Sequence, residues 1–140
     1  MLFRSLGLLP ATIMCESLAH AGRHKEALAL VTRVLNDLPT PEIGSFISEL
    51  WRMRGELVQR LGTGAQGEAE RYLRIALRIA CSQGAPVYNL RAATSLAYLL
   101  AEAGLHAEAK AAIDPALIRE LKEWRGPEAV IARKLRSELE

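Results

Sequence analysis

AGRHKEALALV, residues 21–31, is one of three related phrases in the chain. The others are GAQGEAERYLRIA, which begins at residue 64, and AGLHAEAKAAI, which begins at residue 103. Each phrase has a glycine, then polar residues and then an alanine, and a large or β-branched apolar residue follows the alanine four places later. Residues four apart lie on one face of a helix, so each phrase predicts an amphipathic helix. The alanines lie 42 and 40 residues apart, at Ala27, Ala69 and Ala109, which indicates an internal repeat.

A second apolar pattern precedes each phrase and has a small residue at a fixed place. The small residues are Cys15, Gly55 and Ala97. The apolar residues that follow the phrase alanines are Val31, Leu73 and Ile113. A small residue on one helix lets the alanine-bearing helix approach closely, while large residues fill the gap on either side. Because the chain has no strand signal, this pattern predicts an all-α fold of antiparallel helix pairs, repeated and stacked as a solenoid.

These residues resemble the tetratricopeptide repeat, whose signature has a Trp, a Gly, an A-x3-large step and a closing Pro. The middle copy has Trp51, Gly55, Ala69 and Leu73, and Pro39 closes the first copy. Departures from the signature are Arg54 for Leu, Val58 for an aromatic residue and Cys81 for the second Pro. Over residues 11–139 the chain is similar to the C-terminal helical-repeat region of large bacterial regulators that combine a signalling ATPase module with an adenylate-cyclase or DNA-binding domain.

The repeats predict one domain over residues 1–140. Its three repeats cover about 8–39, 41–84 and 86–116, and a C-terminal cap covers 117–140. Helices are expected at about 10–21, 24–37, 41–61, 66–82, 86–103, 106–113 and 127–139. We expect Thr40 to cap the third helix and Pro41 to occupy its first position. Since proline lacks the amide hydrogen, Asp114–Pro115 is expected to break the sixth helix, with a short helix continuing to Trp124.

Composition and motifs favour a non-enzymatic protein without a metal or cofactor. The chain of 140 residues has a net charge of +2, and no apolar run reaches the ~18 residues that span a bilayer. Cys15 and Cys81 lie in apolar helical patterns and are interpreted as buried reduced thiols. His20 and His24 have a metal-ligand spacing but lack a third ligand nearby, which favours surface histidines. GTGAQG, residues 62–67, lacks the lysine of a phosphate-binding loop and is interpreted as a turn.

The N-terminal residues have a second interpretation. An early Arg, an apolar stretch and AHA at residues 19–21 are similar to a secretion signal. The same residues complete the first repeat, however, and cleavage there would remove a helix that the next helix needs. We therefore expect the repeat and a cytoplasmic protein.

Tetratricopeptide arrays bind partners on a concave surface lined by the first helix of each pair, so the resemblance implies such a site here. The matching positions are Glu16, Arg52, Glu56, Gln59, Arg91, Thr94 and Tyr98. We expect Arg52, Arg91 and Tyr98 to contribute most, because Arg and Tyr are enriched in binding hot spots. The alternative is that these are ordinary solvated residues. The ordered Lys and Asn set that clamps a peptide carboxylate in some such repeats is missing.

The sequence therefore predicts a protein-interaction or scaffold module of a bacterial regulatory protein. The alternative is a ligand-sensing segment that relays a signal to ATPase, cyclase or DNA-binding domains. A homodimer is expected through the apolar N-terminal edge MLFRSLGLLP, residues 1–10, since exposed apolar surface tends to self-associate. Arg71, Arg74 and Arg78 share one helix face, which is either solvated or a patch for an acidic partner. Nucleic acid is not favoured, because no aromatic residues alternate with these arginines.

Overall fold

The computed structural model describes residues 8–38, 46–65, 67–120 and 126–140, and within these ranges it is all-helical, with no strand. The helices are α1 (Leu9–His20), α2 (His24–Asn36), α3 (Ile47–Leu61), α4 (Glu68–Ser82), α5 (Pro86–Glu102), α6 (His106–Glu120) and α7 (Pro127–Glu138). Their ends agree with the predicted ones to within about two residues, except at the start of α3 and the end of α6. The predicted roles of Thr40 and Pro41 at the start of the third helix lie outside the described residues.

The predicted break at Asp114–Pro115 is wrong, because α6 continues through Pro115 without interruption. The proline ring is exposed, and buried residues on either side of it lie on one helix face, namely Ala109, Ile113 and Ala116. Burial of this face holds the helix together, although Pro115 donates no amide hydrogen bond. The separate helix predicted from Pro115 is therefore part of α6. Its end at Trp124 lies outside the described residues.

Each helix packs against the next one along the chain. Alternate helices also touch, because α1 contacts α3, α3 contacts α5 and α5 contacts α7. The odd-numbered helices therefore form a continuous layer, which we call the inner layer. The even-numbered helices α2, α4 and α6 each pack between the odd-numbered helices that flank them in sequence.

The recurring small residues lie where helices approach closely, as the repeat predicts. Cys15, Gly55 and Ala97 are all buried. A Cβ atom on Gly55 would lie 2.8 Å from Cγ of Leu73 and 3.1 Å from the carbonyl oxygen of Ala69. Both of these residues belong to the alanine phrase on α4, so glycine is required for the observed distance between α3 and α4.

The core consists of two clusters. One joins α1, α2 and α3 with Ile79 of α4, and the other joins Leu73 of α4 with α5, α6 and α7. The apolar phrase residues Val31, Leu73 and Ile113 are fully buried. Cys15 is buried as expected, but the prediction for Cys81 is wrong. Its thiol is exposed near the end of α4, where it accepts a hydrogen bond from Nδ2 of Asn89.

Candidate functional site

Two adjoining cavities lie along the inner layer. The first has a volume of about 290 Å³ and lies among α1, α3 and α5, with His24 of α2 at its wall. The second has a volume of about 300 Å³ and lies among α3, α5 and α7. Both are lined by Arg52, Glu56 and Arg91, so they meet at these side chains. We call the two cavities together the inner groove.

A buried carboxylate, that of Glu49, pairs with two of the arginines that line the groove, and it is 2% exposed. Arg52, one turn later on α3, donates to both of its oxygens, with Nε 3.0 Å from Oε1 and Nη2 2.9 Å from Oε2. Nη1 of Arg52 donates to Glu56 at 2.8 Å. Burial alone would lower the pKa of Arg52, but the hydrogen bond to Glu49 and the charges of Glu56 and Glu49 raise it. The guanidinium is therefore a fixed internal cation.

Arg91 of α5 connects three helices of the inner layer. Its Nη1 atom lies 3.0 Å from Oε2 of Glu49 on α3, and its Nη2 atom lies 3.8 Å from Oε1 of Glu16 on α1. The first distance is that of a close ion pair, whereas the second is too long for a hydrogen bond. The Arg91 side chain is 31% exposed, so it lies at the surface of the groove and remains within reach of a ligand.

Two further contacts join α3 and α5, the first of them within the groove lining. Ser95 donates to Oε1 of Glu56 at 2.6 Å, and the Gln59 amide donates to Oε2 of Glu102 at 2.5 Å. Hydrogen bonds between different helices hold the charged side chains of the groove in fixed positions. Arg52, Glu56 and Arg91 are therefore preorganised by their contacts.

The structure brings the sequence-predicted site residues together. Six of them line the groove, namely Glu16, Arg52, Glu56, Arg91, Thr94 and Tyr98. Gln59 lies on the same helix as Arg52 and bonds to α5 as described above. Arg52 lines both cavities but is only 9% exposed, because its guanidinium pairs with two carboxylates. The partner-binding role of these residues stays a prediction.

Sequence reasoning missed the contribution of α7. Pro127, Glu128 and Ile131 line the second cavity, although α7 was expected only to cap the end of the chain. Its buried face is made of Ala129, Ala132 and Leu135, which join the core cluster of α5 and α6. Glu128 lies four places before Ala132 and Ile131 four places before Leu135, so both share a helix face with buried residues. This spacing is visible in the sequence, but it does not show that this face of α7 packs against α5.

The first cavity is lined by a thiol and two imidazoles as well as charged side chains. Cys15 lines the first cavity, but burial and then the charge of Glu16 raise its pKa to about 11, so the thiol stays protonated near neutral pH. His20 and His24 line the same cavity. Within the described ranges no three His, Cys, Asp or Glu side chains are grouped to hold a metal ion.

Comparison with known proteins finds no matching family, no similar curated protein and no similar solved structure. Among the helices of the described ranges, none has the length and apolar character needed to cross a bilayer.

Proposed function

We propose that the chain is a tetratricopeptide-type helix-pair solenoid that binds a protein or peptide partner in the inner groove. The serial contacts of α1, α3, α5 and α7 support this arrangement, since stacked helix pairs bring their first helices together. The close approach of α3 and α4 at Gly55 supports it as well. The role is non-enzymatic, in the cytoplasm, within a bacterial regulatory protein.

The observation that carries the proposal is the groove itself. Its polar side chains come from α1, α3, α5 and α7, and those of α3 and α5 are joined across helices by a hydrogen bond and an ion pair. Rigid side chains lose little conformational entropy on binding, which favours affinity. Tyr98, a residue type enriched in hot spots, is 42% exposed at its edge.

Site-specific photo-crosslinking tests the proposal. A photoreactive amino acid is placed at position 98, in the groove, or at position 118, an exposed position of α6 outside both cavities. We expect a discrete crosslinked partner in cells from position 98 and none from position 118. Thr94→Trp, which fills the second cavity, should remove the product. Crosslinks of equal yield from both positions would reject the groove as the binding surface.

A second candidate function is the sensing of a small ligand. The first cavity favours it, because its apolar walls of Cys15, Ala19, Met53 and Leu57 are combined with charged groups. Its volume lies near the lower end of the ~300–1,000 Å³ range of ligand pockets. Scanning fluorimetry against a metabolite collection tests it. A ligand whose thermal shift disappears in Ala19→Trp would support sensing, and partner crosslinking without any such ligand would favour the interaction module.

The proposed partners include a second copy of the chain. Leu9, Ile13 and Met14 of α1 are all exposed large apolar side chains, and they lie within about a turn and a half of helix. Clustered apolar surface of this kind favours association. Residues 1–7, which the sequence included in this edge, lie outside the described residues.

A further inference from the structure

The groove arginines Arg52 and Arg91, which we expected to contribute most to partner binding, already have carboxylate counterions. Arg52 donates to Glu49 and Glu56, and Arg91 lies 3.0 Å from Glu49. A partner carboxylate at Arg52 would have to displace a buried, two-pronged ion pair, at a large cost in desolvation. Arg52 and Arg91 therefore serve mainly to hold the chain's own carboxylates.

At the α5–α7 end of the groove, the charges that lack a full set of counterions are negative. The Glu56 side chain is 45% exposed, and both of its hydrogen bonds go to Oε1, from Arg52 and from Ser95. Its Oε2 atom has no hydrogen bond within the described part of the chain. Glu128, at the start of α7, lines the same cavity and forms no ion pair with a described residue. The lining holds two carboxylates and two guanidinium groups, and both guanidinium groups also pair with Glu49, which is buried and does not line the cavity.

Apolar side chains border these carboxylates. Tyr98 and Ile131 line the same cavity, and Ile131 is 48% exposed. Pro127 completes this border and is exposed too. An aromatic ring beside carboxylates suits the head of a lysine or arginine side chain, which gains from both the ring face and the negative charge. The apolar side chains suit the aliphatic part of such a residue and an apolar neighbour.

We propose that the α5–α7 end of the inner groove docks a cationic amphipathic segment of a protein partner. A lysine or arginine of the partner enters between Glu56 and Glu128 beside Tyr98, and an adjacent apolar residue contacts Ile131 and Pro127. The inference rests on the proposed function and names the chemistry of the partner at that site.

The test compares two fluorescein-labelled peptides of about twelve residues with identical leucine positions. In one the remaining positions are mainly lysine, and in the other mainly glutamate. Anisotropy is measured at 0.15 M salt, where unpaired surface charges are largely screened beyond ~8 Å. We expect the lysine peptide to bind at least tenfold more tightly. The net charge of +2 would by itself favour the glutamate peptide, so this preference would come from the groove.

Two groove variants test whether the lysine peptide binds at the α5–α7 end of the groove. Glu128→Gln and Tyr98→Ala should each weaken binding of the lysine peptide threefold or more. Glu138→Gln is the matched control, because it removes the same charge from the same helix at an exposed position outside both cavities. Equal losses in Glu138→Gln and Glu128→Gln, or no loss in either groove variant, would overturn the inference.

The outcomes also separate the inference from the proposed function. Tighter binding of the glutamate peptide, lost in Tyr98→Ala, would overturn the cationic preference and leave the groove as a binding surface. Binding of neither peptide would overturn the inference too. The crosslinking comparison of positions 98 and 118 then decides the proposed function independently.

Discussion

Arg52 and Glu49 form a two-pronged ion pair on one side of α3, with both nitrogen–oxygen distances close to 3 Å and Glu49 almost wholly buried. A buried carboxylate is tolerated only while its charge is compensated. Arg91 supplies a second cation from α5, so the pair also connects two helices of the inner layer. The same residues therefore belong to the fold and to the groove.

Replacing Arg52 should destabilise the chain more than the loss of a surface charge would. For Arg52→Met we expect a loss of about 3 kcal/mol, near the lower end for breaking a buried pair, because Arg91 remains beside Glu49. Urea unfolding followed by circular dichroism measures it. The double variant Glu49→Leu/Arg52→Met should recover most of the loss. A double variant as unstable as Arg52→Met alone would contradict the role of the buried carboxylate.

Gly55 should be intolerant of even one added methyl group. In a helix interior, alanine is normally more stabilising than glycine by about 1 kcal/mol of folding free energy. Here the added Cβ would lie 2.8 Å from Leu73 and 3.1 Å from the backbone of Ala69, so we expect Gly55→Ala to cost about 1–3 kcal/mol. In a double-mutant cycle, Leu73→Ala should cost less in the Gly55→Ala background than alone. Additive losses, or a stabilised Gly55→Ala, would show that the helices separate easily.

The sequence predicts helix positions well because the repeat is a local pattern. The spacing of three and four residues correctly predicts that Val31, Leu73 and Ile113 are buried. The small residue at Gly55 predicts a close helix contact that the structure contains. These features depend on residues within one or two turns of each other. Their physical cause can be inferred without knowing how distant helices pack.

The groove is less predictable, because its charges depend on contacts between helices. No pattern within α3 shows that Arg52 is nearly buried or that Arg91 of α5 reaches Glu49. Those facts follow from the distance between helices separated by about 40 residues in the chain. The same reason explains why Ser95 and the α7 residues were missed, and why burial of the helix face around Pro115 outweighed its breaking tendency.

Removing the proline inside α6 should stabilise the chain. Pro115→Ala restores an amide donor and relieves the clash with the preceding turn, which is worth up to about 3 kcal/mol in a helix interior. Pro127→Ala is the matched control, because that proline is also exposed but occupies the first position of α7, where the amide is not needed. Thermal unfolding compares them. Equal effects of the two substitutions would mean that the helix interior at Pro115 is not strained.

The two cysteines should differ sharply in reactivity. Cys81 is exposed, so we expect one thiol per chain to react with a thiol reagent in the native protein at pH 8, and none in Cys81→Ser. Cys15 should react only after denaturation, because burial and the charge of Glu16 raise its pKa to about 11 from 9.0. Two fast thiols in the native protein would show that the first cavity opens readily.

The raised pKa of Cys15 also predicts the pH dependence of stability. The unfolded chain loses this proton near pH 9.0, whereas the folded chain retains it to about pH 11. The contribution of the neutral thiol is therefore complete below pH 9 and is lost as pH rises toward 11. Urea midpoints between pH 8 and pH 11 should fall less steeply in Cys15→Ala than in the wild type. Parallel curves would show that Cys15 ionises alike in both states.

The exposed apolar face of α1 should mediate self-association. Leu8, which the sequence placed in this edge, is partly buried against the core, so charge there would also damage the fold. Ile13 is 54% exposed, and Ile13→Glu should convert a dimer into a chain of 15.4 kDa without loss of helicity. Ile118→Glu on α6, also exposed, is the control and should leave the dimer intact. Light scattering over a concentration series measures the masses. A wild-type chain that stays monomeric at every concentration, or dissociation by Ile118→Glu alone, would rule out this face as the interface.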